Sequence, residues 1–234
     1  MMKFLNSFVS TLLFSVIIFS CTAQTKTSLT ADEFEKDITT KENIQILDVR
    51  TPGEFFSGHI KNALQADWND TKEFERRLAF IDKNKPVYVY CLAGGRSAAA
   101  AGKMRKAGYT NVYELTGGTN AWRAANKPLE GKSTEKQISI NELNATITGS
   151  KTVLVDFGAS WCPPCKLMEP VLKNLTDNNK EKFTLVKIDG GRDQDILQEY
   201  KVTALPVFIV FKDGKQVWRK DGIATEKELV DQLN

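Results

Sequence analysis

A strand-like run, TVLVDFGA (152–159), is followed by WCPPC (161–165) and then by an amphipathic stretch, LMEPVLKNL (167–175). No other feature narrows the possible folds as much. The apolar, β-branched run reads as a buried strand, and the stretch beyond it as a helix that Pro170 should kink. Strand, short loop and helix are the building step of an α/β domain. Cys162 and Cys165, at i and i+3 on the first helical turn, reach each other and can close a small reversible disulfide. Pro163 falls near the first helical position, where its missing N–H costs little, and Pro164 stiffens the same turn. Free N–H groups and the positive dipole end at that point stabilise a thiolate, which makes Cys162 nucleophilic. Half of a zinc site is the alternative, but such sites need about four ligands. Only Cys21, Cys91 and the single histidine, His59, are left to supply them. Redox chemistry outweighs metal binding, and neither a metal nor another cofactor is expected.

The first half alternates in the same manner. IQILDV (44–49) and PVYVY (86–90) read as short buried parallel strands, SAAAAGKMRKAG (97–108) as a helix stopped by glycine, and NVYELTGG (111–118) as a further strand and turn. Cys91 stands between the second strand and that helix, in CLAGGR (91–96). Its loop therefore lies at the carboxyl edge of a parallel sheet, where α/β proteins place ligands. Gly94 and Gly95 free the backbone to curl until several N–H groups point inward as an anion nest. Arg96 adds a charge that is never lost. Such a cradle lowers the thiol's pKa and holds a sulfur anion on it. A buried structural cysteine is the plainer reading, but it requires neither the glycines nor the arginine.

A chain of 234 residues has room for two small domains. The apolar pattern lapses in NKPLEGKSTEK (126–136), which places a linker at 131–136 between domains at 29–130 and 137–234. The net charge of +3 is small and scattered, with no Lys/Arg block interleaved with aromatics, so no nucleic-acid partner is expected. At the N-terminus, Lys3 is followed by FVSTLLFSVIIF (8–19), an uncharged run. As a helix it would reach about 18 Å against roughly 30 Å of bilayer hydrocarbon. It reads as an export signal over 1–20 rather than a membrane span. Ile18-Phe19-Ser20-Cys21 resembles the lipobox of bacterial lipoproteins, which implies lipid attachment at Cys21, a tether over 21–28 and a membrane-anchored place in the periplasm or envelope. Cleavage near Ala23 without lipid is the alternative. Of the four cysteines, one sits at this anchor, one stands alone and two are paired, so none is left to staple the fold.

Residues 137–234 resemble a thioredoxin domain, with VDFGASWCPPCK, VKID and ALPVFIVFKDG in that family's order. The resemblance implies a central mixed sheet flanked by helices, Cys162 as the attacking and more exposed thiol, and Cys165 as the resolving one. It implies a cis bond before Pro206 and a client surface formed by Trp161, Leu205 and Pro206. Asp156, alone among apolar neighbours, matches the family's buried carboxylate; burial should raise its pKa and let it exchange a proton with Cys165. Two positions depart from the family pattern: Pro163 replaces its glycine and Gly158 its usual tryptophan. Residues 29–130 resemble a rhodanese domain through LDVRTPGEFFSGHI, VYVYCLAGGRS and VYELTGGTNAW. This implies a parallel sheet flanked by helices and a persulfide on Cys91, cradled by the backbone of Leu92, Ala93, Gly94, Gly95 and Arg96. The four residues between Cys91 and Arg96 match the sulfurtransferases of that fold, since the related phosphatases carry one more. Asp48, Arg50, Glu54 and His59 then read as scaffold residues, and Trp122 as a packing group.

Together these readings describe an exported protein-disulfide reductase joined to a thiosulfate-type sulfurtransferase. Its expected partners are protein disulfides, a small sulfane-sulfur donor such as thiosulfate, an upstream electron donor and, through the lipid, a membrane. Two other readings stay open on the sequence. The first half can serve only as a binding module for the reductase, or the pair can act as a dithiol oxidase, because the dipeptide between the cysteines is a main lever on redox poise.

Overall fold

The computed structural model describes residues 26–131, 138–179 and 182–233. The export signal, Cys21 and all of the expected linker except Gly131 lie outside the described residues. In the first half, β1 (Ser28–Leu29), β2 (Gln45–Asp48), β3 (Leu64–Gln65), β4 (Val87–Tyr90) and β5 (Val112–Leu115) form one sheet in the order β1-β5-β4-β2-β3. Every neighbouring pair is parallel. β4, VYVY, is buried along its length, as a strand covered on both faces must be.

Alternate residues of β4 enter two cores. Val87 and Val89 join Leu47, Val49, Phe74 and Met104 on one face, while Tyr88 and Tyr90 join Phe34, Ile46, Phe55 and Trp122 on the other. The crossover helices supply the cover. Phe34, Phe55 and Trp122 come from α1 (Ala31–Thr40), α2 (Pro52–Phe56) and α5 (Gly118–Ala124); Phe74 and Met104 come from α3 (Thr71–Leu78) and α4 (Gly95–Lys106). Each such buried side chain contributes about 1.5–3 kcal/mol. The tyrosine hydroxyls that this layer buries are partnered: Tyr90 accepts the Ile60 N–H at 3.0 Å and Tyr88 donates to Asp37 at 3.0 Å. α2 opens on a Thr51–Glu54 capping box, worth about 1 kcal/mol, which fixes the Glu54 carboxylate on its first turn.

In the second half, β6 (Thr152–Gly158), β7 (Thr184–Asp189), β8 (Val207–Lys212) and β9 (Lys215–Asp221) are ordered β7-β6-β8-β9. β6 and β7 are parallel and the other pairs antiparallel, so the sheet is mixed. Around it lie α6 (Ile140–Gly149), α7 (Pro163–Asn179), α8 (Gln194–Glu199) and α9 (Glu226–Leu233). α7 continues through Pro170 as one helix. The β8–β9 hairpin turns on Asp213 and Gly214, both at positive φ, the geometry that matches strand twist in a two-residue hairpin. α9 begins with Thr225 and Glu228 capping each other's N–H groups.

The halves meet at Trp161. Its ring packs on Phe55 and Phe56 of α2, with centroids 5.8 and 5.4 Å away, and the Arg77 guanidinium lies 5.1 Å from its centre. Its carbonyl accepts the Gln65 N–H at 2.8 Å, and α3 lies against α7. Among the described residues, no helix is long and apolar enough to cross a membrane.

Candidate functional site

β4 delivers Cys91 to the carboxyl edge of the first sheet, where the thiol is buried beneath the exposed residues Leu92 and Ala93. Gly94 takes φ +99°, a conformation closed to most side chains, and its N–H thereby faces the Cys91 Sγ at 3.1 Å. The expectation that both glycines curl the loop is corrected here: Gly95 has an ordinary φ and is the first residue of α4. An added Cβ there would meet nothing within 4 Å, so neither space nor backbone conformation calls for glycine at 95.

Ser97, the residue after Arg96, was not foreseen as part of this site. Its buried hydroxyl lies 3.4 Å from Sγ and 3.0 Å from the Gly94 carbonyl. One hydroxyl proton serves one of these acceptors at a time. Burial pushes the Cys91 thiol up, but the Ser97 hydroxyl and the N–H groups of Ser97, Ala93 and Gly94 together outweigh it, and the thiol stands below its ordinary value. Arg96 contributes less directly than expected. Its guanidinium forms a fork with Glu54 of α2, at 2.8 and 2.6 Å, and holds that carboxyl down at about 2.

The turn read from TGG does more than end a strand. The Thr119 N–H donates to the Cys91 carbonyl at 2.8 Å and the Asn120 N–H to the Leu92 carbonyl at 3.0 Å. Gly118, at φ +57°, passes so close that a Cβ would stand 2.2 Å from the Cys91 oxygen. Gly118→Ala should lower the melting temperature, since strain of this kind costs about 1–3 kcal/mol, and should slow Cys91 alkylation near neutral pH by displacing the loop. A thermal melt and a pH series of alkylation rates measure both effects.

The scaffold residues lie beside this loop. Arg50 and Asp48 are both buried and paired at 2.6 Å, and Arg50 also donates to the Gly58 carbonyl at 2.8 Å. His59 stacks on Phe55 with ring centroids 3.8 Å apart, and burial keeps its pKa below the ordinary histidine value. Trp122 donates its indole N–H to the Pro128 carbonyl at 2.9 Å.

In the second half, β6 ends at Gly158 and α7 begins at Pro163, so the WCPPC loop bridges strand and helix. Cys162 and Cys165 are joined in a disulfide with Cα atoms 5.2 Å apart. Asp156, on β6, lines a cavity of about 260 Å³ together with Cys165, Glu169 and Lys187. Burial raises its carboxyl from 3.8 to about 6; Lys187, its register partner on β7, pulls down and Glu169 pushes up. Gly158 stands beside this carboxylate, where an added Cβ would lie 3.2 Å from Asp156 Oδ1. The Leu205–Pro206 bond is cis, and both residues are buried.

One expectation is overturned. Cys162 is not the more exposed thiol: it is 0% exposed, while Cys165 retains 8%. Cys162 belongs to the core cluster of its own domain, with Phe157, Ile188 and Leu205, and on its outer side the first domain packs on the adjoining Trp161 and, through Arg76, reaches the Leu205 carbonyl at 2.8 Å. Among the described residues, no group of three His, Cys, Asp or Glu side chains is arranged to hold a metal.

Residues 30–125 match the family model of the rhodanese-like domain, and residues 135–234 that of thioredoxin. Thioredoxin Y1, chloroplastic, of Arabidopsis thaliana is 41% identical over 87 residues, which are 37% of this chain and 51% of that protein. The chain thus spans about half the length of that relative. Thioredoxin X, chloroplastic, of the same plant is 35% identical over 127 residues, 53% of this chain and 70% of that protein. The crystal structure of a rhodanese-like domain protein from Staphylococcus aureus aligns with a TM-score of 0.39 at 30% identity, covering 45% of this chain and 98% of that one. With its dithiol loop, mixed sheet and these relatives, the chain belongs to the thioredoxin family, its thioredoxin domain preceded by a rhodanese-like domain.

Proposed function

We propose that the thioredoxin domain reduces protein disulfides with Cys162 and Cys165, and that the rhodanese-like domain transfers sulfane sulfur through a persulfide on Cys91. The observation that carries the reading is the Cys162–Cys165 disulfide at the start of α7, with Cys165 and the buried Asp156 carboxyl lining one cavity. In the reduced pair, the Cys162 thiolate attacks one sulfur of a client disulfide. That S–S bond breaks and one client sulfur leaves as a thiolate. Asp156 takes the proton of Cys165, whose sulfur attacks the Cys162 Sγ. The mixed disulfide breaks, the second client thiolate leaves, and the proton on Asp156 neutralises it. The client has gained two electrons, which an upstream dithiol donor must return to the pair. A carboxyl titrating at about 6 is suited to both halves of this proton exchange near neutrality.

At Cys91, the thiolate attacks the sulfane sulfur of thiosulfate. The S–S bond breaks, sulfite leaves with the bonding pair, and the outer sulfur stays on Cys91 as a persulfide. The Gly94 N–H and the opening turn of α4 favour the anionic forms of this sulfur. The uncharged run at 8–19 and Cys21 support export and lipid anchoring in a bacterial envelope. The persulfide is tested by treating a Cys162→Ser/Cys165→Ser protein with thiosulfate, since no dithiol then remains to strip the sulfur. Intact-protein mass spectrometry should show a gain of one sulfur atom on Cys91. An unmodified Cys91 would reduce the first domain to a binding module.

A further inference from the structure

The surface that a client of the dithiol needs is already taken. Three segments of the thioredoxin domain lie together here: the WCPPC loop and Leu205, which share a core cluster with Cys162, and the turn after β7, where Gly190 stands against the Leu205 side chain. The Trp161 carbonyl accepts the backbone N–H of Gln65 at 2.8 Å. The Leu205 carbonyl accepts a guanidinium N–H of Arg76 at 2.8 Å, across 129 residues of sequence. Gly191, in the turn after β7, faces Phe56 so closely that an added Cβ would stand 2.4 Å from its Cε1. Trp161 fills the space between, against Phe55, Phe56 and Arg77. Cys162, the residue after Trp161, has no exposed surface.

Main-chain carbonyls beside a reactive thiol are what an extended polypeptide recognises, because its own N–H groups can pair with them. Here a strand-end N–H of β3 and an arginine of α3 hold both positions. We infer that the α2–β3–α3 face of the rhodanese-like domain is an internal partner of the dithiol surface that competes with protein clients, so that a client reaches Cys162 only when this face lifts away. The inference rests on the reading of the pair as client-reducing. The contact suits such exchange. Among the described residues it includes two hydrogen bonds, an arginine over one indole and the rings of two phenylalanines, a partly polar set of the kind that lets domains separate. Arg76 is not needed to hold its own helix, since Asp70 caps α3, and its remaining partner is Glu73 on the same helix.

The test uses the full chain, reduced and freed of reductant, with two substitutions on opposite sides of the contact. Arg76→Ala removes the donor to Leu205. Gly191→Leu, at an ordinary φ, drives a side chain into Phe56 from the other side. Peptide-level mass spectrometry follows iodoacetamide alkylation of Cys162, and turbidity follows insulin reduction. Alkylation in the wild type should be slow, and either substitution should raise it at least about fivefold, with insulin reduction rising in parallel. Because the substitutions lie in different domains, misfolding of one leaves the other to decide. A wild type alkylated as fast as both variants, while insulin is still reduced, would overturn the internal partner and leave the reductase standing. Insulin untouched by all three proteins, with alkylation still faster in the variants, would retire the client-reducing reading and keep the covered surface.

Discussion

Cys162→Ser should lower disulfide reduction by about a thousandfold or more and leave sulfur transfer from thiosulfate to cyanide near wild type, while Cys91→Ser should do the reverse. The crossover follows from how the two sulfur sites are built. Cys91 draws its polarisation from Gly94, Ser97 and the start of α4, and its loop is braced by Thr119 and Asn120; all belong to the first domain. The pair draws on Pro163, Asp156 and the start of α7, all in the second. Removing either nucleophile deletes a bond-forming atom, which no neighbouring group replaces. Turbidity of reduced insulin and thiocyanate formation read the two activities on the same samples. Loss of both activities in either single variant would mean that sulfur must pass through both sites, and independence would be lost.

Asp156→Asn should stabilise the thioredoxin domain at pH 8 by about 3 kcal/mol while slowing the resolving step by about a hundredfold. The sign follows from the direction of the shift. The folded carboxyl titrates at about 6 rather than at 3.8, chiefly because it is buried. Above about pH 6 folding must hold an anion inside an apolar strand, and the full penalty applies. As the pH falls through 6 the folded carboxyl binds its proton first and the penalty fades, until below about 4 both states are protonated and nothing remains of it. The asparagine carries no charge at any pH, and the shared cavity offers its amide polar neighbours in Glu169 and Lys187. Denaturant titrations of both proteins at pH 8 and pH 4.5 should therefore show an advantage at the first that has mostly gone at the second. An equal difference at both would refute the buried anion. In kinetics, the variant should accumulate the mixed disulfide between Cys162 and client, because Cys165 lacks its proton acceptor.

Much of this protein was determined locally, by residues close together in the chain. Cysteines at 162 and 165 meet because a helical turn brings i and i+3 together. Asp213 and Gly214 turn the last hairpin because both tolerate positive φ. Thr225 and Glu228 start α9 by capping each other. The alternation of apolar strands with helical runs was enough for two α/β units. Other features depend on partners chosen only when elements dock. Arg96 was legible as a charge near Cys91, but its partner Glu54 lies 42 residues earlier. Ser97 follows Arg96 directly, and its only signal was a hydroxyl on the first residue of the expected helix; its reach to Sγ depends on how α4 leaves the loop.

The burial of Cys162 could not be read from the chain at all. Arg76 sits in an amphipathic helix like many surface arginines, and no periodicity marks it as the donor to a carbonyl 129 residues away. Local pattern decides which segments become strands, helices and turns because those choices are settled among near neighbours. Which face packs on Trp161 and Leu205 is settled by shape and hydrogen-bond complementarity between surfaces distant in sequence, and that information exists only once both domains are folded.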